Sequence, residues 1–454
     1  MNARPPDVLV VGAGISGLAL AVSLADRGMG ARVLDAAADV GGNLRTRRTQ
    51  TPEGTWLLDL GPNSFGDASV PFMELVKAAG IEDRLVRAPE SANRRWIWRG
   101  GRLREVPSHP VKFLMSGLLP LSGMLRIARE PWIAPRPASE PEESLGAFCD
   151  RRLGRVAREK LLTPVVGGIY AGDPMQLGAE SAFPAMIALE REHGSLIRAA
   201  RKGKGPPSRG TLSSFRDGLA ELPAALRRRL GDSVTTGAAA RFAVRENGRW
   251  RVETADGRSF TAPTLALATP ADVTASLLRP FDAALAAEIA AIPYAPMTVV
   301  HVGFRTGDAP GIPPGFGFLV PREEGLRILG SIFTSRLFPG RAPEGFELLT
   351  VFAGGSLDPE AMNLGHDKLR EFVTSDLRCA IGLAAAPALF EVTRWPRAIP
   401  QYVVGHKDRL ARIAAAAAAH PGLRLLGNWR GGIAMPECAR NAKAMADDVY
   451  YGRA

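Results

Sequence analysis

A glycine-rich turn near the start of the chain constrains the fold more than any other feature of the sequence. Residues 7–11 (Asp-Val-Leu-Val-Val) form an apolar, β-branched run, and Gly12-Ala-Gly-Ile-Ser-Gly17 follows directly. A helical pattern then extends from Leu18 to Arg27, and a second predicted strand, Ala31–Leu34, ends at Asp35. A strand, a helix and a second strand within about 30 residues predict the βαβ unit of a dinucleotide-binding fold.

The glycines of this turn have separate roles in such a fold. Gly12 permits a tight turn, Gly14 lets the backbone approach a pyrophosphate, and Gly17 lets the helix and the strand pack closely. The start of the helix presents free N–H groups and a partial positive charge to the phosphates. Asp35, at the end of the second strand, is placed to accept hydrogen bonds from ribose hydroxyls. We therefore predict that the chain binds a dinucleotide here.

Composition narrows the function classes. The 454 residues carry a formal net charge of +11, with 46% apolar and 23% charged residues, which is typical of two or three globular domains. The basic balance suits nucleic acid, an anionic membrane surface or an anionic substrate. Since the sequence has no zinc-finger spacing, RNP-like run or basic helix, we expect no nucleic-acid partner. Three scattered cysteines and six histidines without metal-ligand spacing predict neither a disulfide framework nor a metal site.

A second glycine pair distinguishes among dinucleotides. The segment Asp39-Val-Gly-Gly-Asn43-Leu-Arg-Thr46 resembles the extended fingerprint of FAD enzymes related to the amine oxidases, although those enzymes usually have Arg where this chain has Asn43. Asp59-Leu-Gly-Pro62 and a final strand, Leu423–Leu426, that leads into Gly427-Asn428 add further matches. The resemblance implies FAD. We expect it to be bound non-covalently, because Ala434-Met435-Pro436 precedes Cys438 in place of the Ser-Gly-Gly-Cys context of covalent attachment.

Cofactor contacts at both ends of the chain predict an FAD domain that is assembled from separated segments. The fold class we expect is an α/β, Rossmann-like domain of the glutathione-reductase type, an α+β substrate domain on a mixed sheet, and a helical insertion. We assign residues 1–80, 208–270 and 395–454 to FAD binding, 81–108 and 271–394 to substrate binding, and 109–207 to a helical, membrane-associating domain. Residues 96–104 and 249–260 are predicted hairpins, and 198–209 a basic loop.

Short motifs along nearly the whole chain resemble those of the protoporphyrinogen oxidases. Their order and spacing make coincidence improbable. The motifs are Leu60-Gly-Pro-Asn63, Gly168-Ile-Tyr-Ala-Gly-Asp173, Gly315-Phe-Gly-Phe-Leu-Val-Pro321, Leu337-Phe-Pro339 with Arg341-Ala-Pro343, Arg394-Trp-Pro396 with Ile399-Pro-Gln-Tyr402, and Gly427-Asn-Trp429 with Ile433–Cys438.

The resemblance implies a role for individual residues. Arg95 matches a cation that pairs with a substrate propionate, although Arg94 is its neighbour, and Gly168 matches the glycine whose carbonyl faces the reacting edge. The apolar residues that would sandwich a tetrapyrrole are Phe316, Leu319, Ile332 and Phe352. The residues that would contact FAD are Gly12, Ala13, Gly14, Ile15, Ser16, Gly17, Asp35, Ala36, Gly42, Asn43, Leu60, Gly61, Pro62, Asn63, Ala240, Trp395, Gly427, Asn428, Ile433, Ala434 and Met435.

The activity that the resemblance implies is oxidation of protoporphyrinogen IX by FAD, with dioxygen as acceptor and hydrogen peroxide as product, in haem biosynthesis. Oxidation of coproporphyrinogen III is the nearest alternative. A second alternative is an amine oxidase or desaturase-like enzyme, for which Trp395 and Trp429 would form an aromatic cage. A third is a tetrapyrrole-binding module without activity.

The expected location is cytoplasmic, at the cytoplasmic face of the inner membrane. Residues 109–130 are apolar, interrupted by Pro120 and accompanied by Lys112, Arg126 and Arg129, a pattern that favours a helix pair on an anionic membrane surface. Packing within a helical core is the alternative reading of this segment. The next enzyme of the haem pathway is a further expected partner. The expected assembly is a monomer or a homodimer, and in a homodimer the partner is a second copy of the chain.

Overall fold

The glycine-rich turn follows the central strand of a five-stranded parallel sheet. The computed structural model describes residues 5–107, 110–137, 139–205 and 207–452. All pairings in this sheet are parallel, and the predicted strand at Ala31–Leu34 is confirmed. In spatial order the strands are Val234–Thr235, Ala31–Leu34, Val8–Val11, Thr264–Leu267 and Leu423–Leu425.

Both faces of this sheet are covered, which explains why the strands Val8–Val11 and Thr264–Leu267 are nearly continuous apolar runs. Val8 and Val10 face one apolar core, whereas Leu9 and Val11 face the other. The first core is closed by helices Ile15–Ala25, Val70–Ala78, Glu221–Leu230 and Met435–Tyr451. The second is closed by helices Ala271–Leu278, Ala283–Ala290 and His406–Ala418 and by the antiparallel strands Ala240–Glu246, Arg249–Thr254 and Ser259–Ala262.

A seven-stranded mixed sheet forms the second large unit. All of its pairings are antiparallel except that between Gly317–Leu319 and Trp96–Trp98. Helix His366–Ile381 covers one face, where Leu369 and Val373 join the core around Val300. In spatial order the strands are Leu389–Pro400, Tyr294–Arg305, Phe346–Gly354, Gly330–Ile332, Gly317–Leu319, Trp96–Trp98 and Leu103–Glu105.

Smaller sheets and a run of helices complete the fold. Strands Thr46–Thr51 and Gly54–Asp59 form a hairpin, and Leu212–Phe215 lies between Phe65–Gly66 and Leu85–Arg87. Helix Thr334–Leu337 follows a strand of the mixed sheet. The helices of the middle of the chain are Pro110–Met115, Leu121–Ala128, Leu145–Arg152, Arg155–Ala157, Thr163–Tyr170, Ala179–Ala182, Pro184–His193 and Leu196–Arg201, with a π-helical segment at Arg158–Leu162.

The structure corrects several predicted boundaries. The boundary at 395 cuts the continuous strand Leu389–Pro400, and the boundary at 270 separates two helices, Ala271–Leu278 and Ala283–Ala290, from the core that they complete. The basic segment 198–209 begins inside helix Leu196–Arg201, so it is not a loop throughout. The two predicted hairpins are confirmed. Residues 1–4, 108, 109, 138, 206, 453 and 454, which fall within the predicted domains, lie outside the described residues.

Candidate cofactor and substrate site

Each glycine of the first turn occupies a position where a side chain would change the geometry. Gly12 has a φ of +105°, and a Cβ there would lie 2.6 Å from the carbonyl oxygen of Ala268. A Cβ at Gly17 would overlap the carbonyl oxygen of Gly12. The space that a Cβ of Gly14 would enter is open to 4 Å, and this residue caps helix Ile15–Ala25 without a side chain. The turn therefore fits a phosphate group at the start of the helix.

The second glycine pair packs against the first. The amide of Gly41 donates to the carbonyl of Ala13 over 2.8 Å, and a Cβ at Gly42 would lie 3.4 Å from the Cα of Gly14. Gly61 in turn lies so close to the carbonyl of Asn43 that a Cβ would overlap it. Three separate segments therefore converge on the same phosphate-binding surface.

Asp35 organises the ribose end of this surface. Its Oδ2 accepts from the amide of Ala13 over 2.6 Å, and its Oδ1 accepts from the amide of Ala37 over 2.8 Å. The Asp35 carbonyl accepts from the amide of Ala238, two residues before Ala240, so the strand that carries this expected FAD contact begins near the exposed Ala36. The carboxylate that was expected to bind ribose also fixes the turn, and its remaining lone pairs are available to a ligand.

The part of the site where we expect the flavin ring, formed by Leu60–Asn63 and Trp395 and called the flavin end below, is anchored on the mixed sheet. The indole Nε1 of Trp395 donates to the carbonyl of Leu60 over 2.8 Å, and Nε2 of His301 bonds to the carbonyl of Asp59 at 3.2 Å. His301 is completely buried, and burial lowers its pKa to about 4. It therefore stays neutral, as expected of a structural histidine. The two bonds attach the loop Leu60–Asn63 to the sheet face.

A buried carboxylate lies directly behind that loop. Asp59 accepts from the Thr46 hydroxyl over 2.6 Å and from the Leu219 amide over 2.9 Å, and it lies 3.4 Å from the guanidinium of Arg341. Burial raises the pKa of Asp59, while the charge of Arg341 acts in the opposite direction. Arg341 also donates to the Phe215 and Arg216 carbonyls. These bonds explain why the motif Arg341-Ala-Pro343 accompanies the motif that begins at Leu60.

The last cofactor segment is held from outside the parallel sheet. The Tyr402 hydroxyl donates to the carbonyl of Asn428 over 2.6 Å and accepts from the amide of Gly432 at 3.1 Å. The Tyr402 ring stacks on His406 at 4.3 Å, and Nε2 of His406 bonds to the carbonyl of Trp429. The segment from Gly427 to Met435, which includes Ile433 and Ala434, is therefore fixed at both ends before helix Met435–Tyr451 begins.

The expected substrate residues share one face of the mixed sheet. The strand register places Ile332 opposite Gly317, Leu319 opposite Gly330, and Gly330 opposite Phe352. Side chains therefore alternate with glycines across three strands, and the neighbouring backbone lies so close that a Cβ at Gly317 or Gly330 would overlap a carbonyl oxygen. Phe352 joins Trp395 in one apolar cluster, whereas Phe316 and Ile332 join Leu212 in another. The apolar wall therefore extends from the flavin end toward Phe316.

Gly168 faces this wall from the opposite side. It lies near the end of helix Thr163–Tyr170, and a Cβ there would lie 2.9 Å from Cδ2 of Leu319. The helix end is held by Gln401, whose amide donates to the carbonyl of Tyr170 over 2.8 Å and to that of Ile399 over 3.0 Å. Gln401 belongs to the motif Ile399-Pro-Gln-Tyr402, so that motif positions both Gly168 and the last cofactor segment.

The structure separates the two neighbouring arginines. Arg94 makes a bidentate bond to Glu105 at 3.0 and 2.7 Å and lies over the Trp96 ring. The Arg95 guanidinium lies 5.3 Å from the centre of the Phe316 ring and, among the described residues, forms no ion pair. Burial lowers the pKa of Arg95 although the residue remains exposed, so the guanidinium is partly shielded from water without belonging to a packed core. Arg95 is the cation available to a ligand.

Two tryptophans do not form an aromatic cage. Trp429 is completely buried in the second core of the parallel sheet, and its indole donates to the carbonyl of Thr269 over 3.1 Å. It therefore does not pair with Trp395 across the flavin position, and the cage expected for an amine oxidase is absent at these two residues.

Sequence reasoning missed the residues that hold the site from behind. Gln401 and Tyr402 stood in a quoted motif without a role, and no site role was predicted for His301. A glutamine and a tyrosine next to Pro400 in an apolar stretch were the available indication. Arg45 was also missed. It donates to the Gly42 carbonyl over 3.0 Å and lies over the Trp395 ring at 5.8 Å, near the position where Asn43 replaces the usual Arg.

Comparisons with known proteins agree with this geometry. The family model described as flavin containing amine oxidoreductase matches residues 15–450. The chain is 34% identical to the chloroplastic protoporphyrinogen oxidase of Oryza sativa subsp. japonica, over 98% of this chain and 88% of that protein. It is 27% identical to the coproporphyrinogen III oxidase of Bacillus subtilis (strain 168), over 97% of both chains.

Solved structures show the same fold. An Exiguobacterium sp. 255-15 protein assigned as a protoporphyrinogen oxidase superimposes with a TM-score of 0.84 at 24% identity, covering 99% of this chain and all of that one. The cyclohexylamine oxidase of Brevibacterium oxydans IH-35A superimposes with a TM-score of 0.72 at 18% identity, covering 99% and 100% of the two chains. The combination of mixed sheets and helices is thus the amine-oxidase-type fold of FAD-dependent enzymes.

Proposed function

Because the chain belongs to the flavin-containing amine oxidoreductases and, within them, to the protoporphyrinogen oxidase family, we propose that it oxidises protoporphyrinogen IX to protoporphyrin IX in haem biosynthesis. Membership makes it an FAD-dependent oxidoreductase. The observation that carries the choice of substrate is the apolar wall of Leu319, Ile332 and Phe352, which begins at the flavin end and reaches Phe316 beneath the unpaired Arg95.

The chemistry of the site matches that of a porphyrinogen. The macrocycle is large and apolar and carries carboxylates at one rim, so its site needs an apolar surface and a cation at one edge. The glycines opposite Ile332 and Leu319 keep the wall flat enough to lie along a ring system. Arg95 supplies the cation at the edge farthest from Trp395. An aliphatic amine would need neither a wall of this extent nor an arginine.

FAD, when bound, supplies the redox chemistry. The protein's residues orient the substrate and limit the access of water. Leu319 and Gly168 are in close contact, since a Cβ at Gly168 would come within 2.9 Å of Cδ2 of Leu319. A ring that lies along Leu319 would therefore have one edge next to Gly168. His301 is buried and neutral, and neither it nor Asp59 is exposed to a substrate, so proton exchange falls to the pyrrole NH groups and solvent.

We assign dioxygen as the electron acceptor. Six electrons and six protons leave protoporphyrinogen IX in three rounds, and three molecules of dioxygen become three of hydrogen peroxide. The test is to mix the purified holoenzyme with protoporphyrinogen IX. Anaerobically, the flavin band should bleach. In air, porphyrin fluorescence and peroxide should rise in the ratio 1:3. An unchanged flavin spectrum would refute porphyrinogen oxidation, and porphyrin formation without peroxide would refute only the acceptor.

The named activity of the Bacillus subtilis relative supports one alternative substrate, coproporphyrinogen III. The two substrates differ in their carboxylates, two against four. Parallel assays with both porphyrinogens decide between them: a larger kcat/KM for coproporphyrinogen III would overturn the preference proposed here.

The FAD is proposed to be non-covalent. The thiol of Cys438 is buried at the first turn of helix Met435–Tyr451, and burial raises its pKa to about 11, so it remains protonated at neutral pH. A protonated thiol is a poor nucleophile toward a flavin. Acid precipitation of the holoenzyme should leave the yellow colour in the supernatant; a yellow pellet would show a covalent bond.

We also propose three functional regions, with the boundaries adjusted to the observed packing. The parallel sheet with its two cores, including residues 271–292, binds FAD. The mixed sheet, through Pro400, binds the substrate. The helical region between residues 110 and 201 contacts the membrane. Hydrogen exchange with and without FAD should show protection concentrated on the first region; uniform protection over all three would count against this division.

The membrane proposal rests on an exposed apolar surface. Met115, Leu121, Leu125 and Trp132 are each more than half exposed, with Met115 at 83% and Trp132 at 80%. Lys112 and Arg129 are exposed nearby. Arg126, which was expected to join them, instead donates to the carbonyls that end helix Leu145–Arg152 and is unavailable to lipid. Among the described residues no helix has the length and apolar character needed to cross a bilayer.

Flotation with anionic liposomes tests this surface. The protein should float at low salt, and Trp132→Gln with Leu125→Gln should abolish flotation, because partition depends on the buried apolar area. Val70→Gln is the matched control, since Val70 is 67% exposed at the start of helix Val70–Ala78. Flotation of the double variant at the wild-type level would refute the proposal. Binding at the cytoplasmic face of the inner membrane is the location we infer.

We also propose that the protein is a monomer or a homodimer, and that it associates with the next enzyme of the haem pathway. Sedimentation of the holoenzyme distinguishes a monomer from a homodimer. Capture of the following haem-pathway enzyme from solution, with porphyrin transfer measured by fluorescence, tests that partnership.

A further inference from the structure

Arg209 has a well-defined backbone position next to the cofactor loops. It precedes strand Leu212–Phe215, and its carbonyl accepts from the amide of Ala68 over 3.2 Å. A Cβ at Gly66 would overlap that carbonyl, so the two segments are in close contact. Strand Phe65–Gly66 directly follows the expected FAD contacts Leu60–Asn63. Arg209 is therefore fixed relative to the flavin end of the site.

The same strand places Arg209 near the substrate wall. Leu212 packs in one apolar cluster with Phe316 and Ile332, and the Phe316 ring carries the Arg95 guanidinium at 5.3 Å. The charge of Arg209 lowers the pKa of Arg95 and also acts on Tyr170, at the end of the helix that carries Gly168. Arg209 therefore lies within electrostatic reach of both Arg95 and Tyr170.

Among the described residues, neither Arg95 nor Arg209 forms an ion pair. The cations beside them do: Arg94 binds Glu105, and Arg87 binds Asp67 at 3.1 Å. Two unpaired guanidinium groups near each other repel, and the repulsion is greater in a cleft than in free water. A ligand with two carboxylates removes that repulsion and makes two charge-assisted hydrogen bonds.

We propose that Arg209 is a substrate-binding residue that pairs with one carboxylate of the porphyrinogen while Arg95 pairs with the other. This inference rests on the proposed function and deepens it, because it names a second carboxylate contact. Two guanidinium groups match the two propionates of protoporphyrinogen IX. Coproporphyrinogen III has four propionates, so two of its carboxylates would lack these partners. The two guanidinium groups therefore favour protoporphyrinogen IX.

The test compares an acid with its ester. Protoporphyrin IX and its dimethyl ester, both stable in air, are titrated in the dark into the holoenzyme, and binding is followed by fluorescence quenching. The variants are Arg209→Gln and Arg95→Gln. Arg241→Gln is the control for net charge, because Arg241 is exposed on strand Ala240–Glu246, away from the mixed sheet.

Arg209→Gln should raise the Kd for the diacid about tenfold, the effect of one lost hydrogen bond between charged groups. Binding of the dimethyl ester should not change, and Arg241→Gln should match the wild type with both ligands. In turnover, KM for the porphyrinogen should rise with kcat preserved.

Three outcomes overturn the inference. If wild type and Arg209→Gln bind the diacid equally, Arg209 does not contact a carboxylate, and the proposed function stands. If Arg209→Gln weakens acid and ester alike, the residue supports the shape of the site and not charge recognition. If the wild type neither binds porphyrin nor oxidises a porphyrinogen, the proposed function fails, and this inference fails with it.

Discussion

The hydroxyl of Tyr402 offers a sharp test of how the last cofactor segment is held. It bonds to two backbone groups of that segment, the Asn428 carbonyl at 2.6 Å and the Gly432 amide at 3.1 Å. Tyr402→Phe keeps the ring and its stacking on His406 but removes both bonds. Since the residue is buried, two backbone groups lose their partner, at a cost of about 1–3 kcal/mol each.

That cost should appear in FAD binding. If about 2 kcal/mol of this free energy otherwise stabilises the FAD-binding conformation of the segment from Gly427 to Met435, the Kd for FAD rises roughly 30-fold. The assay is titration of deflavinated protein with FAD, followed by quenching of flavin fluorescence. Tyr450→Phe is the matched control, because Tyr450 lies 43% exposed on helix Met435–Tyr451.

Two results would refute the reasoning. An FAD Kd equal to that of the wild type would show that the segment keeps its conformation without these bonds. A lower melting temperature of the apoprotein with an unaltered Kd would show that Tyr402 stabilises the fold but has no part in cofactor binding.

Three further predictions follow from buried contacts. Burial lowers the pKa values of His301 and His406 to about 4, so the unfolded state takes up protons below pH 6.5 and the folded state does not. The free energy of unfolding should therefore fall between pH 6.5 and 4 by roughly 3 kcal/mol per histidine. His406→Gln should weaken this pH dependence, as measured by urea unfolding. Gln401→Leu leaves two carbonyls unpaired, so we expect kcat and the melting temperature to fall together, and an unchanged kcat would separate the residue from Gly168. Gly61→Ala places a methyl group against a backbone carbonyl and should weaken FAD binding in equilibrium dialysis, whereas equal affinity would show that the loops separate at no cost.

Local patterns predicted the elements around the cofactor. The strand Val8–Val11, its glycine turn and the strand at Ala31–Leu34 are adjacent in sequence, and their periodicity and turn residues were enough to identify them. The hairpin across Trp96–Trp98 was equally local. What these patterns do not contain is the order of the seven-stranded sheet, in which a strand near residue 97 pairs with one near residue 318.

Side-chain partners were harder to predict for the same reason. Arg94 and Arg95 are identical in type and adjacent, and only the folded hairpin, which pairs Trp96 with Glu105, brings the Arg94 guanidinium to the Glu105 carboxylate. The indole of Trp395 donates a hydrogen bond to the carbonyl of Leu60, which lies 335 residues earlier in the chain. The domain boundary at 395 was misplaced because the motif there was expected to contact the cofactor, whereas its strand, Leu389–Pro400, belongs to the mixed sheet.

The parallel sheet has one consequence for how the cell makes this protein. Its strand Leu423–Leu425 is synthesised long after the glycine turn, and its pairing with Thr264–Leu267 completes the sheet on which that turn rests. The bonds of Tyr402 to the segment after Gly427, and helix Met435–Tyr451, likewise form only after these residues have been synthesised. A ribosome-bound nascent chain thus displays a phosphate-binding turn without the surface that retains the flavin. We therefore expect stable FAD binding only after the chain through helix Met435–Tyr451 has been synthesised.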